Sequence, residues 1–358
     1  MTSPLARATA FCHRFGLSVP ILQAPMAGAC PPELASAVAN AGGMGGLGAL
    51  LLTPEAIQDW ATAFRAQSNG AFQINLWCPD PPPHRDPVLE AKQREYLAGW
   101  GPQVPVEAGA ATPPDFEAQC AALLAANPPV VSSIMGLYPS GFVAELKRRG
   151  IAWFACVTTL AEALAAAAAG ADAVVAQGSE AGGHRGSFKA DEAERGAVGL
   201  FSLLPILADR LTIPIIATGG IADGRGIAAS LLLGASAVQI GTGFLRSPQA
   251  QISPAWATAI SQTAPEGTML TRAFSGRAGR AITGAYVRDA AAPSAPTPAP
   301  YPVQRGLTAA MRAEAVKTAD INRMQAWAGQ SALLARNLPA GEIMDQIWAE
   351  ARHYSQSF

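Results

Sequence analysis

The sequence predicts an α/β protein, a closed (β/α)8 TIM barrel with a smaller C-terminal lid or subdomain. Three observations predict it. Short apolar runs, too brief for helices, alternate with helical segments from Val19 to Phe244. The last two runs, Ile213–Ala217 and Ala237–Ile240, end in similar glycine loops, as barrel strands around a phosphate do. Beyond Phe244 the rhythm stops. An open, doubly wound sheet is the architectural alternative.

In chain order, Val19–Pro25 reads as the first strand and runs into Met26-Ala27-Gly28, with a helix from Pro32 to Ala41 after it. The glycines at 43, 45 and 48 spell Gly-x-Gly-x-x-Gly. A dinucleotide fingerprint needs a strand before it and a helix after it. Here a helix precedes it and Leu47–Leu52 follows as a strand, so these glycines read as helix-stop and turn residues. A helix over 54–67 leads to the strand Phe72–Trp77, whose Asn75 is polar inside an apolar run and suggests a ligand contact. The proline-rich segment 79–87 is a rigid loop before a charged helix ending near Gly99.

Further strands are expected at Val104–Glu107, Val130–Ser133, Ala152–Val157 and Ala173–Ala176, with helices over 114–126, 140–149, 159–169, 198–210 and 224–233. That makes nine candidate strands for eight places, so one short member lies outside the main sheet. The organisation expected is a barrel over 1–250, a lid or substrate subdomain over 251–305, and helices within 306–358 (306–319 and 340–353) that pack back. Residues 290–302 hold five prolines and read as extended or loop-like.

Half of the 358 residues are hydrophobic and 14% are charged, enough for a large core. A net charge of −1 argues against nucleic acid as a partner. The five cysteines lie far apart, without metal-ligand spacing, and read as reduced thiols of a cytoplasmic protein. No metal is expected. Glu162 and Asp172 interrupt the most apolar stretch, so no membrane span is expected, and the N-terminus lacks the apolar core of a secretory signal.

The chemistry concentrates in Gln177-Gly-Ser-Glu-Ala-Gly-Gly-His-Arg-Gly186, directly after a strand. Glycines let a backbone lie against a flat or anionic ligand, and an imidazole there can exchange a proton near neutral pH. Alone, His184 reads more readily as a turn residue bonding a carbonyl. The loops Gly219-Gly220 and Gln239-Ile240-Gly241-Thr242 offer backbone N–H groups and a hydroxyl to a phosphate. A ligand with its phosphate there places its body against Pro25, Met26, Asn75 and Gln177 and its reactive part under His184. A flavin mononucleotide fits that division. Tyr301, between two prolines, is a candidate for bonding an anionic substrate, and Tyr286 a weaker one. Arg185 could bind an anion or pair with Glu180 or Asp191. His13, His84 and His353 read as structural.

These residues resemble the nitronate monooxygenases, FMN-dependent barrels. The resemblance runs through Gln23–Gly28, Ala176–Gly186, Ile216–Gly224, Val238–Phe244, Arg272–Arg277 and Trp327–Gln330, and is greatest to the first class of that family. It implies FMN held by Pro25, Met26, Asn75, Gln177, Gly182, Gly183, Gly219, Gly220 and 239–242, with Trp327, Gly329 and Gln330 close by and His184 catalytic. It also implies oxidation of an anionic alkyl nitronate such as propionate 3-nitronate by O2, giving a carbonyl compound and nitrite, in a monomer or homodimer. Ser133-Ile134-Met135 and Trp77-Cys78-Pro79 depart from the family's usual residues on the substrate side, and Ala281–Gly284 lacks an expected asparagine. Two alternatives stand beside this reading. One is an NAD(P)H-dependent FMN reductase acting on quinones or enoyl thioesters. The other is a non-catalytic flavin- or phosphate-ligand protein.

Overall fold

A computed structural model describes residues 3–355. Eleven strands form two sheets: β1 Ile21–Gln23, β2 Gly45–Gly48, β3 Phe72–Trp77, β4 Val130–Ile134, β5 Ala152–Val157, β6 Ala173–Gln177, β7 Gly183–His184, β8 Ile215–Thr218, β9 Ala237–Ile240, β10 Thr268–Thr271 and β11 Gly279–Ile282. The first sheet runs β1-β9-β8-β6-β5-β4-β3-β2, and every pairing in it is parallel. A parallel bridge between Leu22 and Met44 joins its two ends, so the sheet closes as an eight-stranded barrel. Barrel strands are covered on both faces, which is why they read as continuous apolar runs rather than alternating ones.

The closing strand departs from expectation. Strand β2 is Gly45-Gly46-Leu47-Gly48, three of the glycines with one leucine, and not Leu47–Leu52. A Cβ on Gly43 would stand 2.5 Å from the carbonyl of Ile21, and one on Gly46 2.6 Å from that of Gln23. Side chains are excluded there because β1 and β2 meet backbone to backbone. The ninth candidate strand is also corrected. Val106–Ala110 is a 3-10 helix, since Pro105 removes a donor that a sheet needs.

The strand mouths differ. An N-terminal helix, Pro4–Phe15, plugs the lower one, with Phe15 edge-on to Phe154 at 5.0 Å. At the upper mouth β7 leaves the barrel and pairs antiparallel with β11, which pairs with β10. His184 therefore sits on a strand of a small second sheet, opposite Gly279, rather than in a turn. Beyond it come a helix Pro254–Gln262, two short helices Val303–Leu307 and Ala309–Lys317 in place of one over 306–319, and a final helix Ala340–Ser355. The break falls at Thr308, whose hydroxyl donates to the carbonyl of Phe274 at 2.6 Å. No helix among the described residues is long and apolar enough to cross a membrane.

Candidate active site

The upper mouth opens on a cavity of about 700 Å³, within the usual range for small-molecule sites. Most of the residues singled out from the sequence line it together. They include Pro25 and Met26 after β1, Asn75 on β3, Gln177 on β6, Gly182, Gly183 and His184 around β7, Gly219 and Gly220 after β8, Gln239, Gly241 and Thr242 after β9, and Trp327 and Gly329. Ile240 points into the barrel core and is 1% exposed. Gln330 lies behind the lining, its N–H donating to the carbonyl of Glu180 at 2.9 Å. Tyr301 lines a second cavity of about 560 Å³ that shares Leu50 and Trp77 with the first.

His184 is held from several directions. Its Nε2 lies 2.7 Å from the hydroxyl of Ser275. That hydroxyl also reaches the carbonyl of Arg277 at 3.2 Å; when it donates there, the imidazole proton sits on Nε2 and the lone pair on Nδ1. The rings of Trp77 and Trp327 flank the imidazole, each with its centroid 4.8 Å away. From below, Gln177 grips the same strand. Its Nε2 donates to the carbonyl of His184 at 3.0 Å, and its Oε1 accepts from the N–H of Gly186 at 2.8 Å. Gln177 thus positions the histidine strand as well as facing the cavity.

The electrostatics are one-sided. Two arginines, Arg305 and Arg312, line the cavity, and among its described lining residues there is no carboxylate. Burial, reinforced by Arg305, Arg277 and Arg312, pushes the imidazole of His184 down to about 3, so the ring is neutral at working pH. Burial and the neighbouring Arg305 bring Arg312 down to about 10. Cys156, also in the lining, is pushed up to about 12 by burial and stays a thiol.

The anion end expected at β8 and β9 is glycine backbone. Among the described residues, the N–H groups of Gly219, Gly220 and Gly241 donate to no protein acceptor, whereas the Thr242 hydroxyl already accepts from the N–H of Gly329 at 3.0 Å. Gly182 and Gly329 pack back to back: a Cβ on Gly182 would lie 2.5 Å from the nitrogen of Gly329. Their first role is to let the segment 324–331 press onto the loop after β6.

Other readings are corrected. Arg185 pairs with neither Glu180 nor Asp191. Its Nη1 donates to the carbonyls of Gly178 at 2.6 Å and Gln177 at 3.3 Å, because it is 1% exposed and lies within the loop it braces. Glu180 instead accepts from the N–H of Leu200 at the start of the helix Leu200–Arg210. Tyr286 is fully buried, its hydroxyl donating to the carbonyl of Ala273 at 2.9 Å. Sequence reasoning missed Ser275, Arg305 and Arg312 as site residues. Ser275 stood in a quoted segment, Arg272–Arg277, without a role, and the two arginines carry no motif. All five cysteines are unpaired and buried, and no metal-holding group of three or more His, Cys, Asp or Glu occurs among the described residues.

A barrel with its cavity at the carboxyl ends of the strands, a half-buried imidazole and a cationic wall belongs to the TIM-barrel enzymes, whose active sites lie at that face. The family model described as nitronate monooxygenase matches residues 9–350. The nitronate monooxygenases of Paraburkholderia phytofirmans and Pseudomonas aeruginosa are each 39% identical to this chain, covering 94% and 96% of it and 93% and 99% of themselves. The solved nitroalkane oxidase of Streptomyces ansochromogenes superposes with a TM-score of 0.87 at 35% identity, over 97% of this chain and 99% of that one. FabK of Thermotoga maritima superposes at 0.76 with 27% identity, over 97% of both chains. The chain belongs to the nitronate monooxygenase family and is an oxidoreductase of the nitronate-oxidising class.

Proposed function

We propose that this chain oxidises an alkyl nitronate with O2, using FMN held in the upper cavity, and releases a carbonyl compound and nitrite. The observation that carries the reading is a cavity with two arginines and no carboxylate in its described lining, built around a neutral imidazole. A nitronate is an anion at neutral pH, and such a wall favours it over uncharged or cationic molecules.

The residues present fit FMN. The unpaired N–H groups of Gly219, Gly220 and Gly241 suit its phosphate, and Met26, Asn75 and Gln239 line the space its ring needs. When bound, FMN supplies an electron acceptor that O2 can reoxidise. The barrel, 1–250, then carries the cofactor, while 251–305 and the helices of 306–358 close over it.

His184 works at the substrate end. Ser275 and Gln177 fix its orientation, and Trp77 and Trp327 exclude water from its faces. Nδ1 is free to take a proton, either from the carbon of a neutral nitroalkane or from solvent as an approaching anion raises the ring's proton affinity.

The test is nitrite release from propyl-1-nitronate in air, with FMN-loaded protein and no NAD(P)H. Nitrite formed catalytically is the result expected. No nitrite, together with NAD(P)H oxidation under anaerobic conditions in the presence of a quinone, overturns the reading in favour of a reductase.

A further inference from the structure

Gln23, Gln73 and Gln239 are buried on β1, β3 and β9, around the seam where the barrel closes. Gln23 is committed to that seam. Its Nε2 donates to the carbonyl of Gly46 at 3.1 Å, and its Oε1 accepts from the N–H of Gly46 at 3.3 Å. Gln73 is used differently. Its Nε2 donates to Oε1 of Gln239 at 2.9 Å and to the carbonyl of Gln23 at 3.4 Å, while its own Oε1 is buried without a hydrogen-bond partner. A buried acceptor left unmade is costly, so an apolar side chain would serve packing better at this position. The donor end is what accounts for an amide there.

That donor end fixes a second amide. The carbonyl of Gln23 can only accept, so the end of Gln73 facing it is the NH2 group. Gln239 must then turn Oε1 toward Gln73 and Nε2 away from it. Among the described residues this Nε2 donates to no acceptor, and it is not sealed in the core, so it opens on the main cavity that Gln239 lines. Asn75, two residues along β3, is held the opposite way. Its Nδ2 donates to the Ser132 hydroxyl at 3.1 Å, which leaves Oδ1 for the cavity.

We propose that Gln73 is a positioning residue for the cofactor: it locks the amide of Gln239 with its NH2 toward the ring space, and so raises the reduction potential of bound FMN. This rests on FMN occupying the cavity and not on which nitronate is oxidised. A donor fixed in advance favours the form of the ring with more negative charge, and reduction adds that charge. Without Gln73 the amide of Gln239 is free to turn over and offer its oxygen, which disfavours the reduced form.

The test reads a potential and a stability on the same variants. Gln73→Met keeps the side-chain length and removes the donor. The preference of the site for reduced over oxidised FMN, measured by dye-coupled reduction, is expected to fall about tenfold, the scale of one hydrogen bond to a charged group. Tenfold is about 30 mV for a two-electron couple. The denaturation midpoint of the flavin-free protein stays the same or rises, because the orphaned Oε1 is gone. Gln239→Met lowers the preference at least as far, and adding Gln73→Met to it changes nothing more. Should Gln73→Met fail to fold, Gln73→Asn, too short to reach Gln239, carries the same expected shift in potential. An unchanged potential in a folded, flavin-loaded variant overturns the proposal and leaves Gln73 a packing residue. A shift that persists in full on the Gln239→Met background also overturns it, since Gln73 then acts by another route. If wild-type protein takes up no FMN, the cofactor reading fails and the proposal falls with it; normal FMN affinity without the shift sinks the proposal alone.

Discussion

His184 holds its proton economy by position more than by intrinsic basicity. Its imidazole keeps Nε2 on Ser275 and stays neutral because protein has replaced water around it. His184→Asn is expected to keep FMN and slow nitronate oxidation by about 10²- to 10⁴-fold, as steady-state nitrite assays will read. The same burial makes a stability prediction. The folded value, about 3, lies below the ordinary 6.5, so between those values the unfolded chain binds more protons and stability falls as pH drops. Denaturant titrations of the FMN-free protein are expected to show a wild-type loss approaching 1.4 kcal/mol per pH unit (roughly one proton) beyond that of His184→Asn in this window. Parallel pH dependence in the two proteins would mean the imidazole is solvated. Little of this was legible in the sequence. His184 stood out by its glycines, but its partner Ser275 lies 91 residues away and meets it only through the β7–β11 pairing.

At the scale of elements, the site depends on how segments from the tail are fastened to the barrel. Arg277, 2% exposed, donates through Nε and Nη2 to Asp80 at 2.7 and 2.5 Å and through Nη1 to the carbonyl of Ser187. This ties the proline-rich loop, the β7 strand and the Ser275 turn together. Asp80→Asn leaves that guanidinium without its carboxylate, and chemical denaturation should show a loss of up to about 3 kcal/mol. Gly329→Ala places a Cβ 2.8 Å from the carbonyl of Glu180. It is expected to destabilise the fold by about 1–3 kcal/mol and to weaken FMN binding as segment 324–331 lifts, read by denaturation and flavin fluorescence. The barrel strands with side chains to read were legible as apolar runs bounded by turn residues. Strand β2 was not, because its glycines carry no strand propensity and are there for backbone approach. The helix Pro4–Phe15 and the β10–β11 hairpin were missed because distant packing, not local pattern, explains them.

Across the whole molecule, charge is distributed against its average. The chain has a net charge of −1, yet its main cavity has a cationic wall without carboxylates among its described lining residues. Steering of anions into that cavity weakens with salt, so kcat/KM for propionate 3-nitronate should fall between low and physiological ionic strength, and fall less for propyl-1-nitronate. The fold class was legible because a βα alternation ending in paired glycine loops has few closed solutions. The cationic wall was not, since Arg305 and Arg312 become one feature only when two C-terminal helices fold over the barrel. The central claim is that the glycine loops at Gly219, Gly220 and Gly241 and the tryptophan-flanked histidine enclose a single FMN. Titrating flavin-stripped protein with FMN tests it most directly, with Trp77 and Trp327 placed to quench the bound ring. The account predicts saturable quenching of flavin fluorescence at one FMN per chain, abolished by bulky substitution at Gly220. Flavin emission that stays unchanged at any protein concentration would contradict it.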